Sequence, residues 1–600
     1  MNVRWAWLWL GGVLLSGGGC DRKSGDPSPA TDLAVQVVED ADLQGPDLFE
    51  DATQASGIDF TYRNGEDIVP PHLAILESLG GGIALIDFDG DGLLDIYIPG
   101  GGYYDGPDRK QIRGHAGRLY RNLGEGKFAD VTKAVGLDTL ARGTPWFYSH
   151  GTAVADYDRD GWPDLLVTGW GRVALFHNVP DGKGGRKFED VSAAAGLDQG
   201  ITWATSAAWA DLDGDGFPDL YVCQYVDWSF ANHPKDCQYD GKTDDVCAPK
   251  RFSGLTHKVF RNTGAGTFMD VSAEAGLVKG AIDASKGLGV LAVDVNLDGK
   301  PDIYVTNDTV ANFLYVNHST PGKIRFTEEG GIAGVALDGY GNANGSMGVD
   351  AGDFDGSGRP ALWVTNYENE LHALYRNSST KDDIVFQFHS PAAGIAAIGQ
   401  KYVGWGTGFV DLEHRGREDL FIANGHAIRY PTGTTRSQKP VLMRNRAGKY
   451  KDITTRGGPY FREPHLSRGV ALGDLDNDGR VDAVVSQLNE PASVLRNIAP
   501  AGNHWLGIEL AGAKFADIVG ARVVLEAGGR TQTRFAKGGG SYASSPDRRL
   551  VIGLGTADKV EKLAVIWPDG KRQEWAGVGI DRYVVLTQGE KEAKEPRAKK

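Results

Sequence analysis

DFDGDGLLD, residues 87–95, carries aspartate at its first, third, fifth and ninth positions and glycine at its sixth. The pattern returns six times, as DYDRDGWPD from Asp156, DLDGDGFPD from Asp211, DVNLDGKPD from Asp294, DFDGSGRPA from Asp353, DLEHRGRED from Asp411 and DLDNDGRVD from Asp474. Apolar, β-prone runs flank each copy, GIALI and LLDIYI around the first, and an L-Y-R-N-like segment follows, ending at Asn122, Asn178, Asn262, Asn317, Asn377, Asn445 or Asn497. An aromatic-led segment precedes each copy, at Phe49, Phe128, Phe188, Phe268, Phe326, Phe386 or Phe388, and Tyr450. One repeat thus reads as four short antiparallel strands. Radial repetition of such units is the pattern of a β-propeller. The expected fold is all-β: a seven-bladed β-propeller over residues 48–500, then a small C-terminal β domain over 501–588. The segment at Phe49 lacks a preceding L-Y-R-N, and the VLRN ending at Asn497 lacks a following aromatic segment. These two orphans complete one blade and leave no open edge.

Alternate side chains of a coiled loop can converge on one point, the glycine permits the bend, and the seventh-position carbonyl adds an oxygen. All-oxygen ligation with flexible geometry suits Ca2+ better than Mg2+. The predicted ligands are Asp87, Asp89, Asp91, Leu93 and Asp95; Asp156, Asp158, Asp160, Trp162 and Asp164; Asp211, Asp213, Asp215, Phe217 and Asp219; Asp294, Asn296, Asp298, Lys300 and Asp302; and Asp474, Asp476, Asp478, Arg480 and Asp482. That gives about five Ca2+ sites. Isolated Asp-Gly stretches are common β-turns, but recurrence in phase with the blades favours metal. The fifth copy has Ser357 and Ala361 in place of two carboxylates and is expected to bind weakly or not at all. In the sixth, Arg415 stands among Asp411, Glu413 and Asp419, and a guanidinium there replaces the ion with an internal salt bridge.

The five loops hold 19 aspartates, more than the net charge of −16, so the acid belongs to metal sites rather than to a polyanionic surface. An acidic chain of this kind has no basic footprint for nucleic acid. At 600 residues the chain is too long for one core without repeats.

Residues 1–20 hold one cation, Arg4, an apolar stretch and small residues ending at Cys20, the form of a secretory signal. The polar segment that follows, a tether over 21–47, makes the signal resemble a bacterial lipoprotein type, with Cys20 lipidated, although Gly17 stands where leucine is usual. The acyl chains would be the only membrane anchor, on an outer-surface or periplasmic protein, and plain secretion is the alternative. Export permits a disulfide, and Cys237 and Cys247 share one polar loop; Cys223 sits in an apolar strand pattern and reads as a buried free thiol. No C-x-x-C or H-E-x-x-H occurs.

The acidic segments resemble FG-GAP/VCBS propeller repeats, the type found in integrin α-chain heads. NHWLGIELAG from Asn503, DIVGARVVLEAGGRTQTR from Asp517, GGGSYASS from Gly538, RLVIGLG from Arg549 and VIWPDGKRQEW from Val565 resemble an ASPIC/UnbV domain. This order is similar to a bacterial member of a cartilage acidic protein-like family, and the resemblance implies an extracytoplasmic calcium-binding propeller with adhesion or scaffold roles. Read on its own residues, the C-terminal domain has hairpins about Gly528 and Gly529 and about Pro568, Asp569 and Gly570. Residues 589–600 read as a solvated charged tail.

If metal loops join the first two strands of each blade at the bottom, second-to-third and blade-to-blade connections lie at the top. Blades one, three and six carry top insertions: GGYYDGPDRKQIRGH, the cysteine loop from Tyr225 to Gly254, and NGHAIRYPTGTTRSQK. Long loops on one rim mark a binding side. Trp146, Tyr148, Trp203 and Trp405 either stack on sugars there or, the favoured reading, pack blades together. His72, His150 and His426 share no spacing that gathers them at a metal. A monomeric binding, adhesion or scaffold module for a surface polysaccharide or protein is expected; the alternative is a polysaccharide-active hydrolase or lyase using top-face acids.

Overall fold

A computed structural model describes residues 43–277, 285–396 and 398–596. The export segment, Cys20 and nearly all of the tether lie outside the described residues. The regular structure of the rest is almost all β, because the runs flanking the acidic segments are rich in β-branched and aromatic residues and are buried on both sides.

Each repeat forms a four-stranded antiparallel sheet in chain order. In the first, Ala84–Ile86, Asp95–Ile98, Arg118–Asn122 and Phe128–Asp130 lie side by side, and the acidic loop joins the first two strands. Seven such sheets occur among the described residues. The seventh is composite: Phe49–Asp51 pairs with Ser493–Asn497, Phe49 opposite Asn497. First strands of successive sheets neighbour one another in chain order, and Ser467–Gly473 of the seventh lies beside Ala84–Ile86 of the first. An apolar layer fills each junction. Ile83, Leu85, Ile96 and Phe128 pack with Ala471, Leu475 and Val484 between first and seventh sheets, for example.

The asparagine that ends each L-Y-R-N-like segment stitches neighbouring sheets together. Its side-chain amide donates to the second-position carbonyl of the preceding sheet's acidic loop: Asn178 to Phe88 at 2.8 Å, Asn262 to Tyr157 at 2.8 Å, Asn317 to Leu212 at 2.9 Å, Asn377 to Val295 at 2.8 Å, Asn445 to Phe354 at 2.8 Å and Asn497 to Leu412 at 3.1 Å. Asn122 donates to Leu475 at 2.8 Å, from the first sheet to the seventh. All seven asparagines are buried, where an unmade hydrogen bond costs about 1–3 kcal/mol.

The C-terminal region holds two small sheets. Arg522–Ala527 pairs with Arg530–Phe535 and Lys562–Ile566, the last also with Arg572–Trp575; His504–Ala511 lies between Leu550–Gly555 and Tyr583–Thr587. The expected hairpins are present, with Gly528 and Gly529 at φ 54° and 71° as a two-residue turn requires. The final segment is not wholly solvated: Lys594 bridges to Val585, and Ala593 packs on the C-terminal core.

The GGGSYASS segment leaves this domain as a plug that runs among the first strands of the repeat sheets. Gly539 pairs with Leu291, Ser541 with Val349 and Ser545 with Ala84. Thr152 donates to the carbonyl of Ala543, Ala543 to the Ser206 hydroxyl, and Thr407 to the Ser541 hydroxyl. At Gly469 a Cβ would stand 2.7 Å from Ser544 Oγ. The plug therefore touches all seven sheets. Glycine is obligatory at its base, since a Cβ on Gly538 would lie 2.0 Å from the carbonyl oxygen of Trp209.

Candidate metal centres

Each acidic loop is wound by two alternating left-handed residues, Gly90 and Gly92 in the first and Arg159 and Gly161 in the second. The coil aims the sixth-position amide at the first aspartate: Gly92 donates to Asp87 at 3.1 Å, Gly161 to Asp156 at 2.8 Å, Gly216 to Asp211 at 2.8 Å, Gly299 to Asp294 at 2.8 Å and Gly479 to Asp474 at 2.7 Å. The ninth-position aspartate is held from two sides. Asp95 accepts Phe88 N at 3.1 Å on one oxygen and Asn122 N at 2.7 Å on the other. Asp164, Asp219, Asp302 and Asp482 repeat this arrangement.

The first, third and ninth positions converge. Ligand oxygens of Asp87, Asp89 and Asp95 lie within 4.8 Å of one another, as do those of Asp156, Asp158 and Asp164, of Asp211, Asp213 and Asp219, and of Asp474, Asp476 and Asp482. Fifth-position carboxylates stand outside these triads and accept the seventh-position amide: Asp91 from Leu93, Asp160 from Trp162, Asp215 from Phe217, Asp298 from Lys300 and Asp478 from Arg480, at 2.8 to 2.9 Å. In the fourth loop Asn296 Oδ1 accepts from Asp298 N at 3.2 Å.

The donor set fits a hard divalent cation. Oδ1 of Asp89 is buried without a hydrogen-bond partner. Burial, with repulsion among the loop acids, raises Asp95, Asp164, Asp219, Asp302 and Asp482 well above the usual carboxylate range, and Asp156, Asp211, Asp294 and Asp474 to about 7. A cation would reverse both costs.

The degraded loops are satisfied differently. Asp355 of the fifth pairs with Arg376 at 2.6 Å. In the sixth, Arg415 reaches Asp419 at 2.6 Å and Glu413 at 3.4 Å, the internal salt bridge expected from sequence.

In four sheets the residue before the asparagine carries a signal that sequence reading passed over. Arg121 meets Asp89 at 2.6 Å, His177 meets Asp158 at 2.9 Å, Arg376 meets Asp355, and Arg444 meets Glu413, always the third loop position. The C-terminal domain also docks on these loops. Asp517 accepts Asp211 N at 3.1 Å and donates to Gly216, Tyr583 donates to Asp474 at 2.7 Å, Arg159 donates to Lys514 O at 2.7 Å, and Arg530 donates to Arg415 O at 2.8 Å.

At the opposite end the three insertions meet. Asp245 of the third accepts the backbone amides of Arg429 and Tyr430 of the sixth at 2.9 and 2.7 Å; Tyr104 of the first packs on Phe230 of the third, centroids 5.5 Å apart. Cys237 and Cys247 are disulfide-bonded within this cap, and Cys223 is a buried free thiol. Trp146, Tyr148, Trp203 and Trp405 are buried, so a sugar cannot stack on them; they pack within and between the sheets. The histidines are spoken for singly: His150 accepts from Trp203 at 2.9 Å, His426 pairs with Glu368 at 3.2 Å and His72 bonds Arg109 O at 2.7 Å.

Comparison with known proteins agrees with this architecture. Residues 87–167, 156–222 and 294–364 match the FG-GAP-like repeat, and residues 512–593 match ASPIC and UnbV. The chain thus carries FG-GAP-like repeats followed by a C-terminal ASPIC/UnbV domain. It is 24% identical over 542 residues to cartilage acidic protein 1 of Homo sapiens, covering 85% of this chain and 72% of that protein. It is 22% identical over 519 residues to the Xenopus tropicalis protein, covering 82% and 70%. Among solved structures, an Agrocybe aegerita lectin specific for non-reducing terminal N-acetylglucosamine aligns at TM-score 0.36 and 16% identity over 69% of this chain and 87% of its own. A Bacillus licheniformis rhamnogalacturonan lyase aligns at 0.31 and 14% over 88% and 92%. At these TM-scores neither bears on function. No described helix is long and apolar enough to cross a membrane.

Proposed function

We propose that this FG-GAP-repeat protein is an exported, envelope-anchored monomer: a closed, seven-bladed, calcium-binding β-propeller that presents its insertion cap to a surface polysaccharide or protein as a binding or scaffold module. Closure is supported by the Phe49–Asp51 strand in the seventh sheet and by the Asn122-to-Leu475 bond. Calcium is supported by the all-oxygen triads. Asp87, Asp89 and Asp95 with their counterparts would hold the ions, which would neutralise buried carboxylates and stiffen each first turn.

The observation that carries the reading is the division of the two ends. The ASPIC/UnbV domain contacts the acidic loops and its plug pairs with first strands, so the cap built by the first, third and sixth insertions is the end left to a partner. Tyr103, Tyr239 and Tyr430 are exposed on those insertions, amphipathic rings suited to sugars and to protein surfaces alike. Glycan-array binding and crosslinking capture from the cell envelope, done with the full chain and with Tyr239→Ala and Tyr430→Ala, test this. Cap-dependent binding without turnover is expected. Release of product from a polysaccharide would instead favour an enzyme using cap-side acids such as Asp308 and Glu370.

A further inference from the structure

In the first, second, fifth and sixth sheets the third position of the acidic loop faces a side chain from the third strand of its own sheet, and in the second sheet that side chain is the one that can ligate a metal. Arginine does this in the first, fifth and sixth sheets, through Arg121, Arg376 and Arg444; a guanidinium neutralises a carboxylate but has no lone pair to offer a cation. In the second sheet the residue is His177, on strand Val173–Pro180, with Nε2 2.9 Å from Asp158 Oδ2.

Donor atoms of Asp158, Asp160 and His177 lie within 4.8 Å of one another, a second group in one loop that shares Asp158 with the Asp156, Asp158 and Asp164 triad. It alone among such groups of the described residues contains a nitrogen donor. Its members are oriented by other contacts. The His177 ring stands edge-on to Tyr157, centroids 5.6 Å apart. Asp160 uses Oδ1 for Trp162 N at 2.9 Å, which leaves Oδ2 toward the group. Arg186, the nearest competing cation at 3.8 Å from that Oδ2, is engaged elsewhere: it donates to Asn178 Oδ1 at 3.0 Å and lies 4.1 Å over the Trp162 ring. Imidazole nitrogen is favoured by late first-row divalent ions and is foreign to the oxygen shell of calcium. Two carboxylates and one histidine leave a tetrahedral ion one position for water or for a ligand from outside.

We propose that Asp158, Asp160 and His177 form a distinct site for a late first-row divalent ion such as Zn2+, beside the calcium seat of the second loop and bridged to it by Asp158. The inference rests on the metal reading of the loops, so its test separates the two. The full chain is stripped with a chelator, saturated with calcium, and titrated with Co2+, followed by visible absorption and calorimetry. One equivalent of Co2+ is expected to bind with calcium still present and to develop d–d bands that Zn2+ abolishes. His177→Arg, which copies the residue of the first, fifth and sixth sheets, should lose that equivalent while keeping the calcium-dependent rise in melting temperature. Asp160→Asn, which removes one of the three donors, should weaken Co2+ binding. Absence of Co2+ binding in calcium, or unchanged Co2+ binding in His177→Arg, overturns the site and leaves the calcium reading standing. Loss of all calcium stabilisation in the parent chain would strike the metal reading itself.

Discussion

Tyr542 packs edge-on against Trp405, ring centroids 4.8 Å apart, and both rings are almost wholly buried. One belongs to the C-terminal plug, the other to the sixth sheet. The Tyr542 hydroxyl also accepts Gly80 N at 3.2 Å, and Arg468 lies 4.0 Å over the other partner's ring, Trp405. A tyrosine so placed makes the repeat body and the C-terminal domain share a core, so they should unfold together.

Tyr542→Ala is therefore expected to cost about 3–5 kcal/mol, as truncation of a buried aromatic does, and to lower the melting of the whole chain. Calorimetry of the parent should give one transition. Two separate transitions, with only the smaller one moved by the substitution, would show that the plug does not couple the domains.

Calcium removal is the second expectation. Without an ion each triad gathers carboxylates that burial and mutual repulsion already disfavour. A ligand bound only by the folded state stabilises by about 2.7 kcal/mol per site at a hundredfold excess over Kd. EDTA should lower the melting temperature sharply, and calcium should restore it better than magnesium. Asp213→Ala, which breaks a triad, should cost far more than Asp355→Ala, whose carboxylate already has Arg376 as counter-ion. Coincident melting curves in EDTA and millimolar calcium would return these loops to ordinary Asp-rich turns.

Four-stranded units, acidic loops and C-terminal hairpins were legible in the sequence because each is local: strand alternation, loop spacing and a Gly-Gly turn act within a dozen residues. The guanidinium of Arg415 was legible for the same reason. What escaped was long-range. The L-Y-R-N asparagine was visible as a repeat, but that it donates to the neighbouring sheet follows only from how sheets stack. GGGSYASS was visible as part of a domain, yet nothing in its composition says that it packs against strands as far back in the chain as Ala84. The favoured packing role of Trp146, Tyr148, Trp203 and Trp405 holds: Trp146 lies in the apolar layer between the first and second sheets, and the other three share a cluster with Tyr542 of the plug and Trp228 of the cap.

Arg415 supports the third prediction. It donates to Asp419, whose side chain is fully buried, and burial raises that carboxyl to about 7 even with the guanidinium beside it. Removing one member of a buried pair costs about 3–5 kcal/mol, since the other charge stays behind. Arg415→Ala should destabilise by this amount in chemical denaturation, and added calcium should not rescue it. Full rescue by calcium would mean that the sixth loop is a metal site held closed by arginine.

The last prediction concerns pH at the cap end. Glu370 accepts Gly345 N at 2.8 Å and Tyr367 N at 3.2 Å on one oxygen. Burial raises its carboxyl to about 7; those amides oppose the rise, and Asp308, itself pushed up to about 6 by burial, adds to it. The folded chain thus holds a proton on Glu370 that the unfolded chain has released, between the ordinary glutamate range near 4.5 and about 7. Where the folded state binds more protons, stability falls as pH rises. The contribution is complete below the unfolded pKa and is lost as pH climbs through the folded one. Glu370→Gln keeps an acceptor for both amides and removes the titration. Measured in saturating calcium to hold the acidic loops constant, the parent's melting temperature should decline from pH 5 to 7.5 more steeply than that of Glu370→Gln. The variant should also be the more stable of the two at the upper end. Parallel pH profiles would place Glu370 outside this titration and assign the acid-side stability to other carboxylates.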